Sequence, residues 1–312
     1  MRMTLQDWAL LFLLSLLWGG SFFFVAVAIK ELPPLTIVSL RASIAALTLI
    51  GILRLQGERW PFARGAILPF FVMGLLNNLL PFSLLFWAQT MIPSSLASIL
   101  NAATPIFAII VAHFLLADER MATHKAIGLL FGFLGVVVLL GGDLLGGASI
   151  ASLGMLACLG AALAYGFASV YGRRFKAMRL TSTQVAFGQL AATTTMMIPI
   201  VSIVDRPWTL PLPGLPVIAA VLALAIVSTA LAYVIYFRIL ASAGAVNVGL
   251  VTLLVPVSAI LLGTLILGED LARQHYIGMA LIGIGLLAID GRIADRMKGK
   301  GTADAPSHAP KQ

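Results

Sequence analysis

Residues Leu96–Arg120 read LASILNAATPIFAIIVAHFLLADER, a stretch long and apolar enough to cross a bilayer that is interrupted in its outer half by Asn101, Thr104 and Pro105. A proline inside a helix removes one backbone hydrogen bond and collides with the carbonyl four residues back, at a cost of about 3 kcal/mol or more. Hydrocarbon offers no water to the freed carbonyl. Gly249–Asp270, GLVTLLVPVSAILLGTLILGED, repeats the arrangement around Pro256. Irregular backbone at membrane depth is tolerated only where protein or a watery cavity satisfies it. The two interruptions therefore point to one cavity shared by both segments.

Composition agrees with a membrane setting. Of the 312 residues, 60% are hydrophobic and 10% charged, and the mean hydropathy is +1.04. Soluble domains carry roughly 25% charged residues, so this chain cannot solvate a globular surface. The formal charge of +8 sits in short loops and the C-terminal tail, which argues against a nucleic-acid face and for a report of membrane orientation. A single cysteine, Cys158, lies inside an apolar span, which leaves neither a disulfide framework nor a cysteine metal site.

Apolar runs of membrane length fall at 7–29, 34–53, 66–87, 94–116, 124–141, 151–172, 181–203, 215–238, 246–267 and 274–291. Pro33-Pro34, Pro61, Pro93, the Gly141–Gly147 turn and Pro207 to Pro216 punctuate them. With the N-terminus inside, only Lys30, Arg206 and Arg273 fall on the outer side and Arg41 within the membrane; the rest of the twenty Lys and Arg residues are cytoplasmic. That bias predicts both termini in the cytoplasm. The segment 292–312 is basic, lacks apolar periodicity and reads as a disordered tail.

The chain also repeats itself. Glu119, Gly128 and Gly135 correspond to Glu269, Gly278 and Gly285; Pro105 corresponds to Pro256, WGGS at 18–21 to YGFA at 165–168, and Asn77-Asn78 to Ser228-Thr229. Each copy holds five spans, an odd number, so the second must enter the membrane from the opposite side. The expected organisation is an all-α integral membrane fold of ten transmembrane helices in two inverted five-helix repeats, 1–142 and 143–291. Inverted repeats are a recurrent construction of secondary transporters, with the binding site near the midplane between them.

The WGGSFF motif, Arg41, the TPIF…ADE…IG…G…G pattern of the first half and the P…GED…IG…G.G pattern of the second resemble the drug/metabolite transporter superfamily. The resemblance is to its ten-helix EamA-type branch, with two EamA repeats over 7–291, and within it to amino-acid and metabolite exporters of the bacterial inner membrane, YddG-like aromatic amino-acid exporters included. It implies a central cavity lined by spans 1, 3, 4, 6, 8 and 9, with alternating access by rocking of helix groups. It implies a small-molecule cargo and no cofactor.

The acidic residues sharpen that expectation. All twelve lie in loops, the tail or near span ends, and no acid stands between Asp7 and Glu31 in the first span. Small multidrug members of the superfamily use a glutamate there for proton-coupled cation export. A buried carboxylate is the expected proton relay or cation partner, so its absence favours neutral or zwitterionic cargo moving by facilitated diffusion. A proton-coupled antiporter of the same fold, using His113, is the alternative.

Candidate cavity residues follow from polar or aromatic character at matched depth. Arg41 is the only basic residue well inside a span; it draws a cargo carboxylate, caps freed carbonyls, or snorkels to headgroups. Trp18, beside Gly19, Gly20 and Ser21, matches Tyr165, and Ser169 lies one turn further on. Asn77, Asn78, Ser83 and Pro81 in span 3 answer to Ser228, Thr229, Tyr233 and Ala232 in span 8; Ser98, Asn101 and Pro105 share a face of span 4, and Thr252 in span 9 answers Asn101. Each is either a cargo contact or polar glue between helices at roughly 1 kcal/mol. The kinks are assigned to Pro81, Pro105 and Pro256. The glycines of spans 5 and 10 (Gly128, Gly132, Gly278, Gly283, Gly285) read as close contact within the chain, so a monomer is expected, with a homodimer as the alternative. Glu119 and Glu269, at the ends of matching helices, read first as solvated charges, with a loop-capping or gating ion pair as the alternative.

Other classes fit less well. His113 and Asp118 have the H-x4-D spacing of some acyltransferases, but no further catalytic motif follows. Gly141-Gly142-Asp143 falls short of an intramembrane aspartyl protease motif, and the chain has no H-E-x-x-H zinc site. A channel would need a filter or a charged ring, and the sequence offers neither.

Overall fold

A computed structural model describes residues 3–58, 65–116, 123–145 and 149–290. Pro61, Asp118, Glu119 and the tail 292–312 lie outside them. The described residues are helical and contain no strand. In chain order the membrane helices are α1 Leu5–Ala28, α2 Pro34–Leu55, α3 Ile67–Ala88, α4 Ser94–Leu115, α5 Thr123–Leu145, α6 Ile150–Gly172, α7 Ser182–Val204, α8 Leu215–Ala243, α9 Val251–Leu267 and α10 Arg273–Asp290. Seven are apolar and of membrane length; α5, α9 and α10 carry shorter apolar stretches. Large apolar side chains such as Leu47, Phe114 and Leu265 stay exposed on the outside, as a lipid-facing surface requires.

The helix ends are fixed by two kinds of cap. Thr4 with Asp7, Ser149 with Ser152 and Thr181 with Gln184 form local capping boxes at the starts of α1, α6 and α7. The other caps come from distant loops. Asp205, after α7, accepts from the Thr36 amide (2.8 Å) and hydroxyl (2.7 Å) at the start of α2. Glu31, after α1, accepts from the Gly214 amide before α8 at 2.6 Å, and Glu58, after α2, accepts from the Thr181 hydroxyl. Glu269, after α9, takes the amides of Ser94 (2.8 Å) and Ser95 (2.9 Å), and both hydroxyls, at the start of α4. Glu269 is thus bonded into a helix end and is not the solvated charge that the sequence favoured over a cap. The N–H groups of a first helical turn lack intrahelical partners and favour an anion. Loops joined in this way share a membrane face, and the pairings agree with a chain that crosses the bilayer alternately.

The core arises where helices distant in sequence approach closely. α5 pairs with α10, α2 with α7, α1 with α9 and α8, and α6 with α4 and α3. A β-carbon at Gly19 would stand 2.6 Å from the Ser258 β-carbon and 2.9 Å from the Ala259 nitrogen, and one at Gly166 would stand 3.1 Å from the Phe107 backbone. The matched glycines of WGGS and YGFA therefore let α1 lie against α9 and α6 against α4. Buried Ser15 and Ser258 hydroxyls, 2.7 Å apart, join the first pair. In the α5–α10 pair a β-carbon at Gly128 would lie 2.5 Å from the Gly285 carbonyl oxygen, and one at Gly135 2.8 Å from that of Gly278. Those glycines serve contact within the chain, whereas Gly283 faces open space.

The proline segments differ from a simple pair of kinks. α4 is broken between Asn101 and Thr104, and Pro105 is the second residue of the following segment, where its missing N–H removes no helical bond. In the other copy a short helix, Ala245–Val248, precedes α9, and Pro256 lies inside α9, five residues past Val251. Two further irregularities appear: Leu75–Leu79 in α3 and Ala223–Leu231 in α8 are π-helical. Pro81 follows the first, and the extra residue in the wide turn accommodates its ring. The second contains no proline.

Candidate functional site

Arg41 of α2 lies between the widened turn of α8 and the segment of α3 that follows its own widened turn. This side chain is 7% exposed, so it does not snorkel. Its Nε donates to the Thr229 hydroxyl at 2.9 Å, and Thr229 donates in turn to the Leu224 carbonyl, five residues back, at 2.7 Å. A carbonyl one π-turn upstream is thereby bonded by a side chain, which stabilises the widening without proline. The guanidinium carbon lies 3.8 Å from the centre of the Phe82 ring and 5.7 Å from that of Phe86. A cation–π contact out of water contributes about 2 kcal/mol, comparable to the roughly 2.5–3.5 kcal/mol that insertion of an arginine at mid-membrane costs. Tyr165 of α6 and Tyr233 of α8 stand near enough to interact with the charge. No carboxylate of the described residues pairs with it, and Nε carries its only hydrogen bond among them.

Polar groups surround this point on both sides. The Asn77 side-chain amide donates to the side-chain oxygen of Gln189 in α7 at 2.9 Å and reaches the Tyr233 hydroxyl. Asn78 and Ser228, one in each π-turn, are fully buried, and both side-chain polar atoms of Asn78 and the Ser228 hydroxyl have no partner among the described residues. The Ser83 hydroxyl and the side-chain amide oxygen of Asn101 likewise have no partner among the described residues. An unsatisfied buried polar group costs about 1–3 kcal/mol; π-turns, too, concentrate at functional sites.

The remaining candidates spread wider. The Trp18 ring lies in tilted contact with Tyr236 of α8, centroids 5.5 Å apart, while its sequence counterpart Tyr165 stands by Arg41. Ser21, Ser98 and Ser169 bond to carbonyls of their own helices, Trp18, Ser95 and Gly166 respectively, and Thr252 to Gly249. His113 is exposed beside Phe114. Phe82, Gln189 and Tyr236 belong to the site but escaped the sequence reading. Tyr236 was signalled only by its place one turn after Tyr233, and Gln189 by being an amide in the middle of an apolar span.

Thr229→Val keeps the shape but removes the acceptor of Arg41 and the donor to Leu224. A loss of about 1–3 kcal/mol is expected, read as a lower melting temperature in detergent. Thr229→Ser should restore it.

The fold and its membrane-length helices define a multi-span helical membrane protein whose polar centre is built from helices distant in sequence. The chain belongs to the EamA-like transporter family of the drug/metabolite transporter superfamily: the family profile matches residues 8–141 and 152–289. It is 26% identical to the uncharacterized transporter YoaV of Bacillus subtilis over 275 residues, 87% of this chain and 92% of that one. The probable amino-acid metabolite efflux pump of Escherichia coli K12 is 28% identical over 295 residues, 91% of this chain and 94% of the pump. The uncharacterized inner membrane transporter YedA of the same strain is 25% identical over 285 residues, 90% of this chain and 89% of its own. A crystal structure with 23% identity superposes with a TM-score of 0.64 over 94% of this chain and 98% of its own, a likeness of fold. The protein is a membrane transporter.

Proposed function

We propose that this transporter exports small metabolites, amino acids foremost, across a bacterial inner membrane by alternating access between two inverted repeats, 1–142 and 143–291. Both termini face the cytoplasm in this reading, as the loop charges require. The observation that carries it is the pair of π-turns in α3 and α8, with Arg41 bonded to Thr229 in the second and lying against Phe82 just past the first. Polar groups left unpartnered at both π-turns suit a protein that exchanges partners between two arrangements. The helix pairings support the repeat: α1–α9 answers α6–α4, and α1–α8 answers α6–α3. The relative named as an amino-acid metabolite efflux pump supports the cargo class.

Facilitated diffusion is the coupling that fits best. The described carboxylates Asp7, Glu31, Glu58, Asp205 and Glu269 all hold helix ends or loop groups, which leaves none of these five as a relay at mid-membrane. Purified protein in proteoliposomes should show saturable, exchangeable phenylalanine or leucine flux, unchanged by an imposed pH gradient. Uphill flux driven by protons would replace this reading with an antiporter, and His113 would be tested first.

A further inference from the structure

We propose that the terminal amino groups of Arg41 receive the carboxylate of the cargo, which makes a carboxylate, and not an ammonium group, the obligatory feature of what this protein carries. The inference rests on the transport reading above and narrows it to carboxylate-bearing molecules. The guanidinium is held in one orientation by two independent contacts. Thr229 fixes Nε at 2.9 Å, and the Phe82 ring lies against the charged carbon at 3.8 Å. What remains is the edge carrying the two terminal nitrogens, which have no acceptor among the described residues. That edge is the rigid fork that matches two carboxylate oxygens with two parallel hydrogen bonds.

The charge balance points the same way. A buried arginine within an apolar helix ordinarily has a carboxylate or another partner beside its charge. Here the nearby ionisable groups are the neutral phenols of Tyr165 and Tyr233, and the described carboxylates named above are bound elsewhere. The cargo itself would complete the ion pair. No described group near Arg41 offers an ammonium a matching negative charge, so a cargo lacking the carboxylate gains nothing there. A bundle that merely needed polar glue would be served by an amide in place of an arginine whose fork is left open.

The test is competition against labelled phenylalanine exchange in proteoliposomes. The competitors are 3-phenylpropionate, which keeps only the carboxylate, and phenethylamine and phenylalaninamide, which keep only the amine. The expected result is inhibition by 3-phenylpropionate and none by the two amines at tenfold higher concentration. Arg41→Met should raise the inhibitory concentration of 3-phenylpropionate by roughly tenfold to a hundredfold, as loss of charged hydrogen bonds implies, and Arg41→Lys should recover part of it. Inhibition by phenethylamine equal to that by 3-phenylpropionate, or an unchanged carboxylate preference in Arg41→Met, would overturn the proposal.

Absence of phenylalanine exchange in the wild type would instead sink the amino-acid reading and leave Arg41 to be judged by melting temperature. Stabilisation by 3-phenylpropionate that Arg41→Met abolishes would uphold the anchor, and no stabilisation would end it. Should Arg41→Met fail to fold, Arg41→Lys decides: a monodisperse lysine variant with undiminished 3-phenylpropionate inhibition refutes the need for the fork.

Discussion

Glu269→Ala is expected to destabilise the protein by about 3 kcal/mol or more, because it strips four hydrogen bonds from a partly buried helix start at once. The carboxylate accepts two backbone amides and two hydroxyls from Ser94 and Ser95. Bonds to an ionised acceptor contribute roughly 1.5–3 kcal/mol each, though the four are not additive and water replaces some. Two backbone N–H groups of α4's first turn would be left to whatever solvent reaches them. The site is built to hold this group, since Gly263 provides the room in which the carboxylate meets Ser95. Thermal unfolding in detergent reads the effect. Glu269→Gln should fall between wild type and alanine, because an amide oxygen accepts without the charge and the NH2 group opposes a donor. A glutamine variant as unstable as alanine would assign the whole effect to charge, and an alanine variant as stable as wild type would remove the cap from the account.

Gly128→Val should damage the fold to a similar extent by a different route. The β-carbon would fall 2.5 Å from the Gly285 carbonyl oxygen and 2.9 Å from the Ile289 nitrogen. Both are backbone atoms of α10, and neither can turn aside as a side chain does. Overpacking usually costs about 1–3 kcal/mol, and rigid neighbours put this case at or above the upper end. The expected result is loss of the monodisperse species in size-exclusion chromatography. Gly283→Val, on α10 with nothing within 4 Å, should leave it unchanged. If both variants behave alike, α5 and α10 are not in the close contact described.

Much of the fold was legible because its signals are local and repeated. Apolar runs, boundary prolines and loop charge gave helices whose starts lie within a few residues of those observed, since a helix crossing hydrocarbon must satisfy its own backbone. The prolines were a partial guide. Pro105 and Pro81 do lie at irregular backbone, but α8 widens over Ala223–Leu231 without proline or glycine, through a threonine that bonds five residues back. Nothing in the string ALAIVSTAL distinguishes that threonine from one bonding four residues back, as Thr193 does.

The site was legible residue by residue and obscure in its pairings. Arg41, Thr229, Tyr165, Tyr233 and Asn77 stood out as polar groups in apolar spans. That Phe82 would lie on the guanidinium, or that Trp18 would meet Tyr236 while Tyr165 stands at Arg41, depends on how separate helices rotate about their axes. Glu269 shows the same limit. A carboxylate 175 residues from the helix it caps carries no local mark of that role.

That separation bears on how the protein is made. Ribosomes add roughly 5–20 residues per second, so α4 enters the bilayer roughly ten to thirty-five seconds before Glu269 exists, and α2 waits similarly for Asp205, 169 residues downstream. During that interval the open ends of both helices have only interfacial water to bond them. The nascent first half is therefore a loosely seated intermediate, finished only when the last loops emerge and reach back. Ribosome pauses or truncations late in the message should leave a chain inserted in the membrane but marked for degradation, with its early helices present and their ends undone.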